Sequence, residues 1–349
     1  MTERHNVRHW DNDKRGVYEV WYLTWNHPQT DQGFWLRYIT EAPVDPAGRH
    51  GSAPLHSGGP PRAELWFARF DPKNPARTFG IHKRFDAGTL ASGADPFSLA
   101  IAGSRLGHDH AVGQLAGNGH NVTWDLRWDA AAQVLRLLPD VMYARGGLGE
   151  TTVQSPNPRV AMSGTLVVDG EKLTFDRAVL GQTHLWGKKH AYSWTWGRCA
   201  EFAGAPDALL EILGVRLQRR GTTLPPLTLV CLDLDGEQYR LNQFRHVVRN
   251  RGTWANGRVT FSAWSPTVKI EGELSAAPDM FVSAPYLDPD GTEVFCANTE
   301  IGDARVTVYR RTGFKWREHR TIEGTRRAHF ELGGRVRDPA VEREHTLVS

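Results

Sequence analysis

Along much of this chain, apolar side chains fall on every second residue. Val122, Trp124, Leu126 and Trp128 alternate with Thr123, Asp125 and Arg127, and Val268, Ile270, Gly272 and Leu274 alternate with Lys269, Glu271 and Glu273. A period of two places alternate side chains on opposite faces of an extended strand. Residues 18–25, 34–39, 64–70, 159–168, 227–232, 258–264 and 305–310 are rich in β-branched and aromatic side chains and read as further strands. Between such runs stand Asp169-Gly170, Asp235-Gly236, Asn256-Gly257 and Asp290-Gly291, dipeptides that supply the positive φ angles of tight hairpin turns. Helical spacing is confined to residues 207–217, where Leu209, Leu210, Leu213 and Leu217 recur. Residues 215–219 fit a strand equally well, and both readings stand.

Many strands joined by short hairpins predict an all-β protein of antiparallel meanders, and closure into barrels removes exposed sheet edges. A chain of 349 residues is long for one such domain and comfortable for two. The Gly-, Ala- and Pro-containing stretch at 202–206 predicts a seam between domains 1–202 and 203–349, packed side by side. Residues 43–61, rich in Pro, Gly, Ser and His, read as a surface loop or lid, and 337–349 as a charged, mobile tail.

Composition narrows the function classes. The 42 basic and 39 acidic residues leave a net charge of +3 with no basic stripe, which gives no support to nucleic-acid binding. No apolar run has the length of a membrane span, and residues 1–14 lack a signal-peptide core, so a cytoplasmic protein is expected. Cys199, Cys231 and Cys296 are widely spaced and odd in number, which reads as buried thiols rather than a disulfide framework or zinc site. The 13 tryptophans predict large aromatic walls around a core or a ligand. The phosphate-loop, nucleophile-elbow and H-E-x-x-H patterns are absent.

The most unusual segment runs from Gly181-Gln182-Thr183-His184-Leu185-Trp186-Gly187 to Tyr192-Ser193-Trp194-Thr195-Trp196-Gly197. On strands, His184 and Trp186 share a face, as do Trp194 and Trp196. An imidazole beside indole faces suits acid chemistry on an alkene, because His donates or relays a proton and indoles stabilise a developing cation. With the opening Tyr18 to Tyr22 run and the closing His329-Phe330-Glu331, this segment resembles the carotenoid 1,2-hydratase and tocopherol-cyclase-like superfamily. The resemblance implies two lipocalin-like barrels. It also implies acid–base addition to an isoprenoid double bond by the motif's His and Trp, here His184 and Trp186, with a downstream Asp matched by Asp233. The Tyr that accompanies this Asp is replaced by Cys231.

His184 and Asp233 are thus the candidate catalytic residues, with Trp186, Trp194, Trp196, Tyr22 and Trp25 as candidate substrate-binding residues. A plain core histidine, and a carboxylate capping the Asp235-Gly236 turn, are the competing roles for the two catalytic candidates. Trp124 and Trp128 read as packing. His108, His110 and His120 share a glycine-rich stretch that reads as a hairpin rather than a metal site. The expected function is a cofactor-independent hydratase or cyclase acting on an isoprenoid-like or polyketide-like apolar small molecule. A carrier of the same ligand class and a pericyclase acting by substrate folding alone are the alternatives.

Overall fold

The computed structural model describes residues 2–10, 14–44, 59–143, 150–219 and 221–338. The expected lid and most of the charged tail lie outside these residues. The described residues form almost wholly antiparallel β structure, with one short α-helix at Phe244–Val247. Residues 207–217, open between helix and strand in the sequence, contain the strand Leu209–Arg216. Alternation succeeds here because Leu210 and Ile212 enter one core while Leu209 packs in another.

Two large sheets build the molecule. In the first, the spatial order is Phe79–Asp86, Arg62–Phe70, Gly33–Ala42, Val17–Asn26, Glu171–Gly187, Thr151–Val168, His120–Trp128, His110–Gly117, Ser104–Gly107, Phe97–Ile101 and Leu90–Ala94. The edge strand Phe79–Asp86 curls back over the sheet, and Phe79 stacks on His120 with ring centroids 3.7 Å apart. The result is a nearly closed barrel. In the second sheet the order is Glu237–Leu241, Leu227–Leu234, Leu209–Arg216, Ser193–Cys199, Lys315–Gly334, Glu293–Thr312, Val268–Ser275, Arg258–Trp264 and Arg251–Ala255. Its ends approach through Asn250, whose side chain donates to the carbonyls of Thr228 and Leu241.

Three of the four hairpin dipeptides do their expected work, whereas at Asp290-Gly291 only the glycine holds a positive φ. Asp169-Gly170, Asp235-Gly236 and Asn256-Gly257 hold both residues at positive φ, the geometry that matches the twist of the flanking strands. The division between sheets lies between Gly187 and Ser193, ahead of the expected seam at 202–203. Ser193–Cys199 belongs to the second sheet because it pairs with both Leu209–Arg216 and Lys315–Gly334.

Each sheet encloses its own apolar core, and a third apolar layer lies between them. This layering explains the first strand, Val17–Asn26, which is buried at every position. Trp21, Leu23 and Trp25 enter the first barrel's core, while Tyr18, Val20 and Tyr22 pack in the layer between the sheets. The same layer carries a buried polar seam. Arg198 lies 3.6 Å from Glu211, and Ser155 donates to Glu211 at 3.1 Å. Burial raises the Glu211 carboxyl to about 7 despite the pull of Arg198 and Ser155.

Candidate active site between the two barrels

The aromatic walls meet between the barrels, while the barrel interiors are packed with side chains. A cavity of about 250 Å³ opens in the inter-sheet layer, bounded by Tyr18, Tyr22, Trp35, Arg37, His190, Trp194, Trp196, Tyr286 and Glu331 among others. Strand parity aims these groups: Tyr18 and Tyr22 come from one face of Val17–Asn26, Trp35 and Arg37 from one face of Gly33–Ala42, and Trp194 and Trp196 from one face of Ser193–Cys199. Leucines and valines, including Leu185, Leu213, Val215, Leu227 and Leu229, complete an apolar wall.

His190, in the connection between the two sheets, is the titratable group best placed for chemistry. Its Nδ1 lies 2.6 Å from Asp288 Oδ1, and its backbone N–H donates to the same oxygen at 3.1 Å. The other Asp288 oxygen accepts from Arg335 at 2.8 Å. Burial works to raise the Asp288 carboxyl, but the hydrogen bonds and charges of His190 and Arg335 outweigh it and hold the group below the usual carboxylate range. An ionised Asp288 therefore turns Nδ1–H toward itself and leaves Nε2 for the cavity. The imidazole stacks on Tyr18 at 4.7 Å and on Trp194 at 5.0 Å, with Tyr286 at 5.4 Å. Glu331, also on the cavity lining, accepts from Trp194 Nε1 at 2.7 Å, which fixes that indole.

The nominated residues divide between different spaces. Trp194, Trp196 and Tyr22 line the cavity, and the rings of Tyr22 and Trp196 meet edge to face at 5.4 Å. Trp25 sits in the first barrel's core against Phe34, with centroids 5.4 Å apart. His184 and Trp186 share a face, as their spacing implies, with rings 4.9 Å apart, but that face is turned away from the cavity. Both His184 nitrogens are engaged: Nδ1 donates to the His5 carbonyl at 2.7 Å, and Nε2 lies 2.8 Å from Glu19. The ring also stacks on Trp21 at 4.7 Å. His184 thus ties the N-terminal segment to the barrel. Asp233, on the seam-facing side of its strand, pairs with Arg240 outside the cavity lining. That pairing is with a neighbouring strand and not with the Asp235-Gly236 turn.

The three nominated histidines have separate partners. His108 hydrogen-bonds to Thr2 and Asn6, His110 to Asp109, and His120 to Asp169. His9, Glu19 and His184 do place ligand atoms within 4.8 Å of one another. There, Glu19 already accepts the backbone N–H groups of His9 and Trp10, and the His9 ring lies flat on Trp186 at 4.0 Å. Those contacts describe a closed hydrogen-bonded tie.

Comparison with known proteins fits this architecture. Residues 15–334 match the model of the tocopherol cyclase-like family. The chain belongs to that family. A probable chloroplastic tocopherol cyclase of Oryza sativa subsp. japonica is 22% identical over 368 residues, covering 95% of this chain and 78% of the relative. Among solved structures, a putative AttH protein from Nitrosomonas europaea shares 15% identity at a TM-score of 0.55, over 94% of this chain and 95% of the other. Kievitone hydratase from Nectria haematococca shares 12% identity at a TM-score of 0.54, over 94% and 92%. At these identities the structural likeness establishes the fold. Membership in this family places the chain among tocopherol cyclase-like enzymes. No helix among the described residues is long and apolar enough to cross a membrane.

For this member of the tocopherol cyclase-like family, sequence reading missed His190, Asp288, Arg37 and Tyr286. Two signals were present. His190 stands in the short connection between the His184-x-Trp186 and Trp194-x-Trp196 pairs, and Asp288 precedes the Asp290-Gly291 turn. Glu331 belongs to the His329-Phe330-Glu331 pattern that carried part of the family resemblance.

Proposed function

We propose that this protein is a cofactor-independent hydratase or cyclase that acts on an isoprenoid-like or polyketide-like alkene by acid catalysis in the inter-barrel cavity. The supporting observation is His190, held by Asp288 and packed between Tyr18 and Trp194 on the wall of an apolar cavity. His190 Nε2 gives its proton to one alkene carbon, and the positive charge develops on the other. The faces of Trp194 and Trp196 and the carboxylate of Glu331 line the same cavity and favour that charge. Water or a hydroxyl of the substrate then forms the new C–O bond and releases its proton to the deprotonated imidazole, so the proton count closes. Apolar walls keep bulk water from capturing the cation at the wrong carbon. In this reading, His184 and Asp233 position structure rather than touch substrate.

The test is a pair of histidine variants with an alkene that the wild type converts. His190→Gln is expected to lower kcat roughly a hundredfold or more with KM nearly unchanged, because proton donation matters in the transition state. His184→Gln is expected to turn over like wild type once folded, with its loss appearing in thermal stability. Equal turnover by wild type and His190→Gln would remove the acid mechanism and favour substrate folding alone. Tight binding without conversion by wild type would favour a carrier.

A further inference from the structure

Proton donation by His190 makes no use of the cavity's most heavily buried charge. Arg37 projects from the middle of Gly33–Ala42 into the inter-barrel layer and is only 4% exposed. Among the described residues, two other arginines are buried to a similar degree, and both have carboxylates: Arg69 meets Glu171 at 2.9 Å and Arg198 meets Glu211 at 3.6 Å. Arg37 has no carboxylate within 4.0 Å among the described residues. It donates to the hydroxyl of Tyr286, and its Nε has no hydrogen-bond partner there. Aromatic faces surround the guanidinium, with Trp35 at 4.8 Å, Tyr286 at 4.9 Å, Trp66 at 5.5 Å and Tyr22 at 5.9 Å.

Ring faces attract a cation but do not neutralise it, and a buried charge without a counter-ion is costly unless a ligand supplies one. Glu331 faces the same cavity and its charge favours the Arg37 cation, but it makes no contact with the guanidinium within 4.0 Å, and its oxygens accept from Trp194 Nε1 at 2.7 Å and Cys296 Sγ at 3.4 Å. Trp196 Nε1, on the same wall, is a second donor with no acceptor, and Asn298 Oδ1 is one unpartnered acceptor beside them. The Tyr286 oxygen accepts from Arg37, and its O–H is directed to Cys296. Arg37 and Trp196 thus present unpartnered donors to one cavity, and the first carries full charge.

We propose that Arg37 anchors an oxyanion, so that the molecule taken by this cavity has an apolar body bearing a carboxylate, phenolate or enolate. This rests on the inter-barrel cavity being the substrate site. It is independent of which residue donates the proton.

Calorimetric titration at neutral pH with 2-naphthoate and with its methyl ester tests the assignment. Wild type is expected to bind the acid about tenfold or more tighter than the ester. Arg37→Met is expected to bring the two within about twofold by weakening the acid alone, while Arg37→Lys keeps part of the preference. Since Met removes a buried charge with no carboxylate in contact, its melting temperature is expected to match or exceed that of wild type. His190→Gln is expected to keep the full preference, which separates this proposal from the assignment of the proton donor. Equal affinity of wild type for acid and ester, an unchanged preference in Arg37→Met, or no binding of either probe at millimolar concentration would overturn the anchor. A marked loss of stability in Arg37→Met would make Arg37 a structural cation and overturn it as well.

Discussion

Glu211 gives the seam between the barrels a pH dependence that can be worked out from its surroundings. The side chain is 1% exposed, and its carboxyl stands at about 7 against an ordinary value of 4.5. Burial is the dominant cause, and Arg198 and Ser155 offset only part of it. Between these two values the folded chain keeps a proton that the unfolded chain releases. The contribution to stability is therefore complete below about pH 4.5 and is lost as pH rises to about 7. The difference corresponds to about 3 kcal/mol, which for a chain of this length is a shift of about 4 °C in melting temperature. Glu41, also raised to about 7 by burial, adds a loss in the same window, whereas Glu64, lowered to about 2 by His82 and nearby arginines against its burial, acts below pH 4.5. Comparison with Glu211→Gln isolates the single group. Melting curves at pH 5 and pH 8 are expected to show a fall in wild type that exceeds the fall in Glu211→Gln by about 4 °C. Identical pH slopes for the two proteins would refute the reasoning.

The cavity wall offers two further tests. A Cβ at Gly333 would lie 2.2 Å from the Trp194 ring, so Gly333→Ala is expected to cost about 1–3 kcal/mol by chemical denaturation and to weaken ligand binding. An apolar polyene should quench tryptophan fluorescence, and Trp196→Ala should diminish that response more than Trp128→Ala, because Trp128 packs in the first barrel's core. Equal effects would place the ligand elsewhere.

The strand pattern was legible because each barrel has a distinct inside, and a period of two reports that directly. The Asp-Gly and Asn-Gly turns were legible because few residues tolerate positive φ at both turn positions. Parity also paired His184 with Trp186 and Trp194 with Trp196. What parity could not say is which space each face looks into. Val17–Asn26 is buried on both sides, so Tyr22 and Trp25 are equally apolar in sequence yet line a cavity and a core respectively. The break between sheets precedes the expected seam for a related reason: the Gly- and Pro-containing stretch at 202–206 resembles a linker, but Ala203 donates to Glu323 and Ala205 to Phe202, within the second sheet. His190 and Asp288 escaped notice because neither lies in a periodic run, and they are 98 residues apart in sequence. Arg37 was hidden by its strand, where one charged residue among aromatics reads as a solvent-facing position.

The acid mechanism in the inter-barrel cavity is tested most directly by where the product's new hydrogen comes from. Protonation of an alkene carbon in heavy water installs one deuterium at a non-exchanging C–H position for every turnover. Mass spectrometry of the product formed by wild type in heavy water is expected to show one such deuterium per molecule. His184→Gln should give the same labelled product, and His190→Gln should form it roughly a hundredfold more slowly or worse. Product formed at the full rate with no carbon-bound deuterium would contradict the account.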